Sequence, residues 1–141
     1  MTTLDDLIAW YQSLRPETVA DAARFYAPEA YFKDPFNEVR GIAAIERIFR
    51  HMFVQVEAPR FVVTARFAGE DGAMLIWEFH FRTRGLGAQA MCIKGASHLR
   101  LDDAGRVAEH RDYWDAAGEL YARLPLIGAP MRLLQRMGAA K

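Results

Sequence analysis

Apolar residues recur with helical spacing in the first third of the chain and alternate along most of the rest. Leu4, Leu7, Ile8, Tyr11 and Leu14 follow Thr3 at intervals of three and four, which predicts a helix capped by Thr3. Asp6 stands three residues on, placed to return the capping bond. Pro16 opens a second predicted helix, with Glu17 near its positive end and a stripe of Val19, Ala22, Ala23 and Tyr26 that Pro28 stops. Ala30 to Asp34 reads as a short strand ended by Pro35. After Gly41, the continuous stripe Ile42, Ile45, Ile48, Phe49, Met52, Phe53 and Val56 predicts a third helix, ended by Pro59.

Beyond Pro59 the pattern changes. Arg60 to Ala68 is rich in β-branched residues and Phe, and Gly69 to Gly72 is a turn. From Ala73 to Arg84, Leu75, Trp77, Phe79 and Phe81 share one face while Glu78, His80 and Arg82 take the other. A turn at Gly85 and Gly87 leads into a strand whose Met91, Ile93, Gly95, Ser97, Leu99 and Leu101 lie on one face. Asp102 to Gly105 turns the chain into a last strand, Arg106 to Trp114. Asp115 then caps a predicted helix through Leu124. Strands joined by short turns are antiparallel neighbours. Helices segregated from such strands predict an α+β fold, with N-terminal helices packed on a curved antiparallel sheet around an apolar pocket.

A length of 141 residues fits a single domain over 1–141, with a short amphipathic tail over 125–141 containing Met131, Leu134 and Met137. The 52% hydrophobic content supports a core, and nine Phe, five Tyr and three Trp are enough to line a cavity as well. Eighteen basic residues balance eighteen acidic ones with no basic run, so nucleic acid and anionic membranes are not expected partners. The one cysteine, Cys92, cannot form an internal disulfide. The N-terminus lacks a signal pattern and no apolar run is long enough to span a bilayer, so a cytoplasmic location is expected.

Candidate chemistry centres on the last strand. Ala108, His110, Asp112 and Trp114 fall on one face, and neither face is cleanly apolar. If that face borders a cavity, His110 and Asp112, about 6.5–7 Å apart along the strand, can share a substrate or a water. The alternative is a solvated edge with Asp112 paired to an arginine. Asp34, just before Pro35, suits a turn, and Tyr11 on its apolar stripe needs a hydrogen-bond partner once buried. His110-Arg111-Asp112 spells a kinase tripeptide, but the glycine-rich loop and the length are lacking. The histidines have no zinc-ligand spacing. His80 and Cys92 are placed as cross-strand neighbours, and two ligands alone make a poor site, so no metal is expected.

The order of elements, with Ala30-Tyr31-Phe32-Lys33-Asp34-Pro35 followed by Gly41-Ile42-Ala43-Ala44-Ile45, resembles the nuclear transport factor 2-like superfamily. That group includes ketosteroid isomerases, SnoaL-like polyketide cyclases and limonene epoxide hydrolases. The resemblance implies a cone-shaped fold with a deep apolar pocket, a homodimer, a small apolar ligand, and no cofactor or metal. Set against the isomerases, Tyr11 falls at the oxyanion-hole tyrosine and Asp34 at the proton-shuttling aspartate, while Ser97 replaces the second, protonated aspartate. Against the epoxide hydrolases, Asp112 falls at the water-activating aspartate, but Glu78 and His80 do not match its Arg and Asp partners, nor Phe32 and Asp34 its tyrosine and asparagine. The looser SnoaL-like pattern, with one pocket aspartate, fits best. It implies a cofactor-independent acid/base enzyme with Asp112 as principal base and His110 positioning it. Tyr11 would be a hydrogen-bond donor and Asp34 a second proton carrier. Trp114, Trp77, Phe79 and Ser97 would line the substrate site. The alternative is a non-catalytic binding or dimeric interaction module on the same fold.

Overall fold

In the computed structural model, which describes residues 2–85, 87–120 and 128–139, Thr3 caps helix α1 (Leu4–Gln12). Its side chain accepts from the Asp6 backbone N–H while the Asp6 carboxylate accepts from that of Thr3. The second expected helix is shorter and in two pieces. A 3-10 turn, Pro16–Asp21, runs into α2 (Ala22–Phe25), and Tyr26 already belongs to strand β1 (Tyr26–Lys33). Pro28 therefore sits inside a strand. It is tolerated because the pairing of β1 with its neighbour is interrupted between Tyr26 and Tyr31, where a missing N–H breaks no ladder.

A short strand β2 (Glu38–Arg40), not anticipated from the sequence, returns along β1. Gly41, at φ 99°, leads into α3 (Ile42–Gln55), whose Ile45 and Phe49 are buried. Strand β3 (Glu57–Ala68) begins earlier than expected and contains Pro59, which its edge position permits. Strands β4 (Gly72–Arg82), β5 (Ala90–Leu101) and β6 (Val107–Trp114) follow with the expected alternation.

The sheet order is β2-β1-β6-β5-β4-β3. The run from β3 to β6 is antiparallel, as the short turns require, but β1 joins β6 in parallel. The α+β class stands, with a mixed sheet in place of a wholly antiparallel one. One face of the sheet carries Phe32, Leu75, Trp77, Ile93 and Leu99 against Trp10, Tyr11 and Phe49 of α1 and α3, which together form the main core. A register shift near Leu101 turns Val107, rather than Ala108, fully into that core.

Asp115 caps α4 (Ala116–Glu119), and its side chain accepts from the Gly118 N–H. The remainder of the helix expected through Leu124 lies outside the described residues beyond Leu120. Helix α5 (Gly128–Gly138) carries Leu133, Leu134 and Met137 exposed. Among the described residues no helix is long and apolar enough to cross a membrane.

Candidate functional site

The last strand turns His110, Asp112 and Trp114 to the core face of the sheet, opposite Leu99, Ser97 and Gly95 of β5. Two spaces open there. An inner chamber of about 30 Å³ is lined by Tyr11, Phe49, Phe61, Val63, Leu75, Trp77, Ser97, His110 and Asp112. A cleft of about 960 Å³ lies between α3 and the sheet. Phe49, Phe61, Trp77 and Asp112 border both. The chamber has room for a water or a substituent, and the cleft has the size of sites that take a drug-sized molecule.

A chain of hydrogen bonds crosses the chamber wall. The Trp77 indole N–H, which can only donate, donates a hydrogen bond to Ser97 Oγ at 2.8 Å. The Ser97 hydroxyl donates to Asp112 Oδ1 at 2.5 Å. His110 Nε2 lies 2.7 Å from the same oxygen. On the other side of the ring, His110 Nδ1 meets the Tyr26 hydroxyl at 2.7 Å and the Tyr11 hydroxyl at 3.3 Å. The two phenols stand 2.6 Å apart. The polar residues buried outright among those described are Ser97 and His110, and both belong to this chain.

Proton counting orients it. With a carboxylate at Asp112 accepting from both Ser97 and His110 Nε2–H, a singly protonated imidazole presents its lone pair at Nδ1. Tyr26 then donates to Nδ1, and Tyr11 donates to Tyr26. Burial pushes the Tyr11 phenol well above its ordinary value, and the Asp112 charge adds to the shift. Burial does the same for Tyr26, reinforced by Tyr11 and then by Asp112. Both phenols are therefore neutral donors at ordinary pH. Asp112 Oδ2 accepts no hydrogen bond from the described residues, while Asp112 borders both spaces.

Of the residues singled out from sequence, Tyr11, Ser97, Trp77, His110 and Asp112 converge on the inner chamber. Phe79, Trp114 and Asp34 line the larger cleft. Asp34 is engaged locally. Its Oδ1 accepts from the backbone N–H groups of Phe36 and Asn37 at 2.8 and 2.7 Å, and both its oxygens take the Asn37 side-chain amide. That is turn chemistry at the cleft wall. Tyr26 was missed by sequence reasoning, which placed it on a helical stripe. Only the parallel pairing of β1 with β6 brings it to His110, its ring lying nearly parallel to the imidazole at 6.0 Å. Periodicity carries no signal for a contact between residues 84 apart in sequence.

Solved structures with the same architecture span most of the chain. A protein with a ketosteroid isomerase-like fold from Catenulispora acidiphila, crystallised with trimethylamine, matches with a TM-score of 0.74 at 17% identity. The match covers 88% of this chain and 96% of that one. A nuclear transport factor 2-like protein from an Exiguobacterium species gives 0.67 at 17% identity, over 81% and 98% of the two chains. A candidate SnoaL-like polyketide cyclase from Shewanella putrefaciens gives 0.62 at 18%, over 85% and 98%. At such identities the likeness is one of fold. No curated protein matches the sequence. The model of the SnoaL-like domain matches residues 7–110, well over half of the chain. The chain thus belongs to the SnoaL-like domain family, within the nuclear transport factor 2-like fold.

Proposed function

We propose that the protein is an acid/base catalyst acting on a small apolar or polycyclic carbonyl-type molecule, with Asp112 as the base. The observation that carries this reading is the state of the Asp112 carboxylate. Ser97 and His110 hold one oxygen, the other takes no donor from the described residues, and Asp112 borders both the chamber and the cleft. A carboxylate fixed at one oxygen is oriented without being consumed, which is what proton abstraction requires. The cleft walls, Phe79, Trp77, Trp114 and Phe61, suit an apolar ring system.

His110 acts as a positioning residue for Asp112. Tyr11, at the chamber wall, is the donor nearest to charge developing on a substrate oxygen. When it donates into the chamber, the Tyr26 hydroxyl can turn from His110 Nδ1 to donate to Tyr11. Asp34 keeps its turn and borders the cleft as part of its polar rim. The polyketide cyclase assignment of the Shewanella relative is in keeping with this substrate class.

A second reading is a binding module without turnover. It is favoured by the completeness of the network, since no buried side-chain nitrogen or oxygen among the described residues lacks a partner. The trimethylamine complex of the Catenulispora relative is in keeping with simple ligand binding.

The experiment is a thermal-shift screen of apolar carbonyl compounds, followed by turnover assays on wild type and Asp112→Asn. Asparagine can still accept from Ser97 and His110 through its carbonyl oxygen, so binding should persist. Turnover should fall by about 10²–10⁴-fold. Binding with undiminished turnover in the variant removes Asp112 as base. Binding with no turnover in either protein favours the second reading.

A further inference from the structure

The opposite face of the sheet holds a second cluster of side chains with ligating chemistry. His80 on β4 and Cys92 on β5 are directly paired across the two strands, and Glu78 lies two residues along β4 on the same face. The ligand atoms of Glu78, His80 and Cys92 all lie within 4.8 Å of one another. His80 Nε2 is 3.0 Å from Glu78 Oε1 and 3.9 Å from Cys92 Sγ. All three residues are half-buried. From sequence, His80 and Cys92 alone made too poor a site. The structure brings a third ligand-bearing side chain, Glu78, beside them.

We propose that Glu78, His80 and Cys92 form a binding site for a thiophilic divalent cation of the zinc type. The donor set argues for the metal class. Thiolate and imidazole select zinc and its neighbours over magnesium and calcium, which take oxygen ligands. The spacing argues for the geometry. A tetrahedral ion bound at about 2.0–2.3 Å sets its ligands about 3.3–3.8 Å apart. The two observed separations, 3.0 and 3.9 Å, bracket that range. Small side-chain rotations on two rigid strands would therefore close the site. One carboxylate and one thiolate neutralise the ion, and a water fills the fourth position.

Two cations sit beside the cluster in the strand register. Arg60 is opposite His80 and Lys94 is opposite Glu78. They weaken the attraction for a cation, which the ligand set must outweigh. Binding links β4 to β5 near the turn that joins them, on the face away from Asp112. It therefore stabilises the hairpin without entering the acid/base site.

The test is titration of the reduced, full-length protein with Co²⁺, read by absorbance. One equivalent should produce a near-ultraviolet thiolate-to-cobalt charge-transfer band, and one equivalent of Zn²⁺ should abolish it. Cys92→Ser should remove the band. Glu78→Gln should weaken binding by at least about tenfold. At a hundredfold excess over its Kd, Zn²⁺ should raise the wild-type Tm by about 5–10 °C. The Cys92→Ser protein, which loses only a half-buried sulfur, should show no such rise. Absence of a stoichiometric band in wild type would overturn the proposal. So would Zn²⁺ binding that survives unchanged in the His80→Ala, Cys92→Ser double variant.

Discussion

His110 Nε2 lies 2.7 Å from Asp112 Oδ1, a contact between side chains two residues apart on one strand. Their Cα atoms are about 6.5–7 Å apart, so the two side chains must lean toward each other. Tyr26 and Tyr11 hold the ring from behind through Nδ1, and Ser97 holds the carboxylate from the side. The pair is one unit with its supports, and its parts should not behave independently.

His110→Phe removes the centre of that unit, leaving Asp112 with its Ser97 bond and Tyr26 with its Tyr11 bond. Stability should fall by about 2–4 kcal/mol, and that of Tyr26→Phe by about 1–2 kcal/mol. The double variant should lose less than the sum, with a coupling of about 0.5–3 kcal/mol. Urea unfolding of the four proteins measures it. Strict additivity would show that the Tyr26–His110 contact carries no energy of its own.

The phenols give the protein an alkaline limit. Their folded values are raised, so burial favours the neutral form. The unfolded chain releases these protons near pH 10, about the ordinary value for tyrosine. The phenol contribution is therefore unchanged below about pH 10 and is lost as pH rises from there toward the raised folded values. Each buried phenol adds a slope of up to about −1.4 kcal/mol per pH unit. Urea midpoints taken from about pH 9 to about pH 11 should fall less steeply in Tyr26→Phe than in wild type. Parallel curves would contradict the buried, neutral assignment.

Gly95 is a packing requirement of the site. A Cβ there would come within 2.5 Å of the Trp77 ring. Gly95→Ala should push Trp77 aside, loosen its bond to Ser97, and cost about 1–3 kcal/mol. Ligand affinity in the cleft should change along with Tm, because Trp77 borders both spaces. An unchanged Trp fluorescence and Tm would show that the ring has room to spare.

Ser97→Ala leaves the Trp77 N–H and one Asp112 lone pair without their partner. The expected cost is about 1–3 kcal/mol, with turnover reduced through misplacement of Asp112. Ser97→Thr, which keeps the hydroxyl, should recover more activity than stability, since its methyl crowds the small chamber that Ser97 lines. Equal activity in Ala and Thr variants would remove the hydroxyl from the mechanism.

Most of the site was legible where periodicity was informative. Alternation put Ser97 on the apolar face of β5 and His110 and Asp112 together on one face of β6, only the family resemblance turned that face toward a pocket, and the helical stripe of α1 carried Tyr11 inward. The Thr3 cap and α3 followed from local rules. What escaped depended on long-range pairing. Tyr26 was read as helical because Val19, Ala22 and Ala23 precede it at helical spacing, yet the chain straightens there to pair with Val107. β2 has too few residues for a pattern, and Pro59 resembles a helix stop rather than a residue of an edge strand. Glu78 could be placed beside His80 by alternation, but its approach to Cys92 depends on side-chain geometry.

The parallel pairing of β1 with β6 also fixes when the protein can become competent. Tyr11 and Tyr26 emerge early in synthesis, whereas His110, their common partner, follows 99 and 84 residues later. The hairpins between β3 and β6 can zip by local contacts, but the β1–β6 seam must close a long loop before it gains anything. A nascent chain released before its last strand would therefore hold two phenols with no imidazole to receive them.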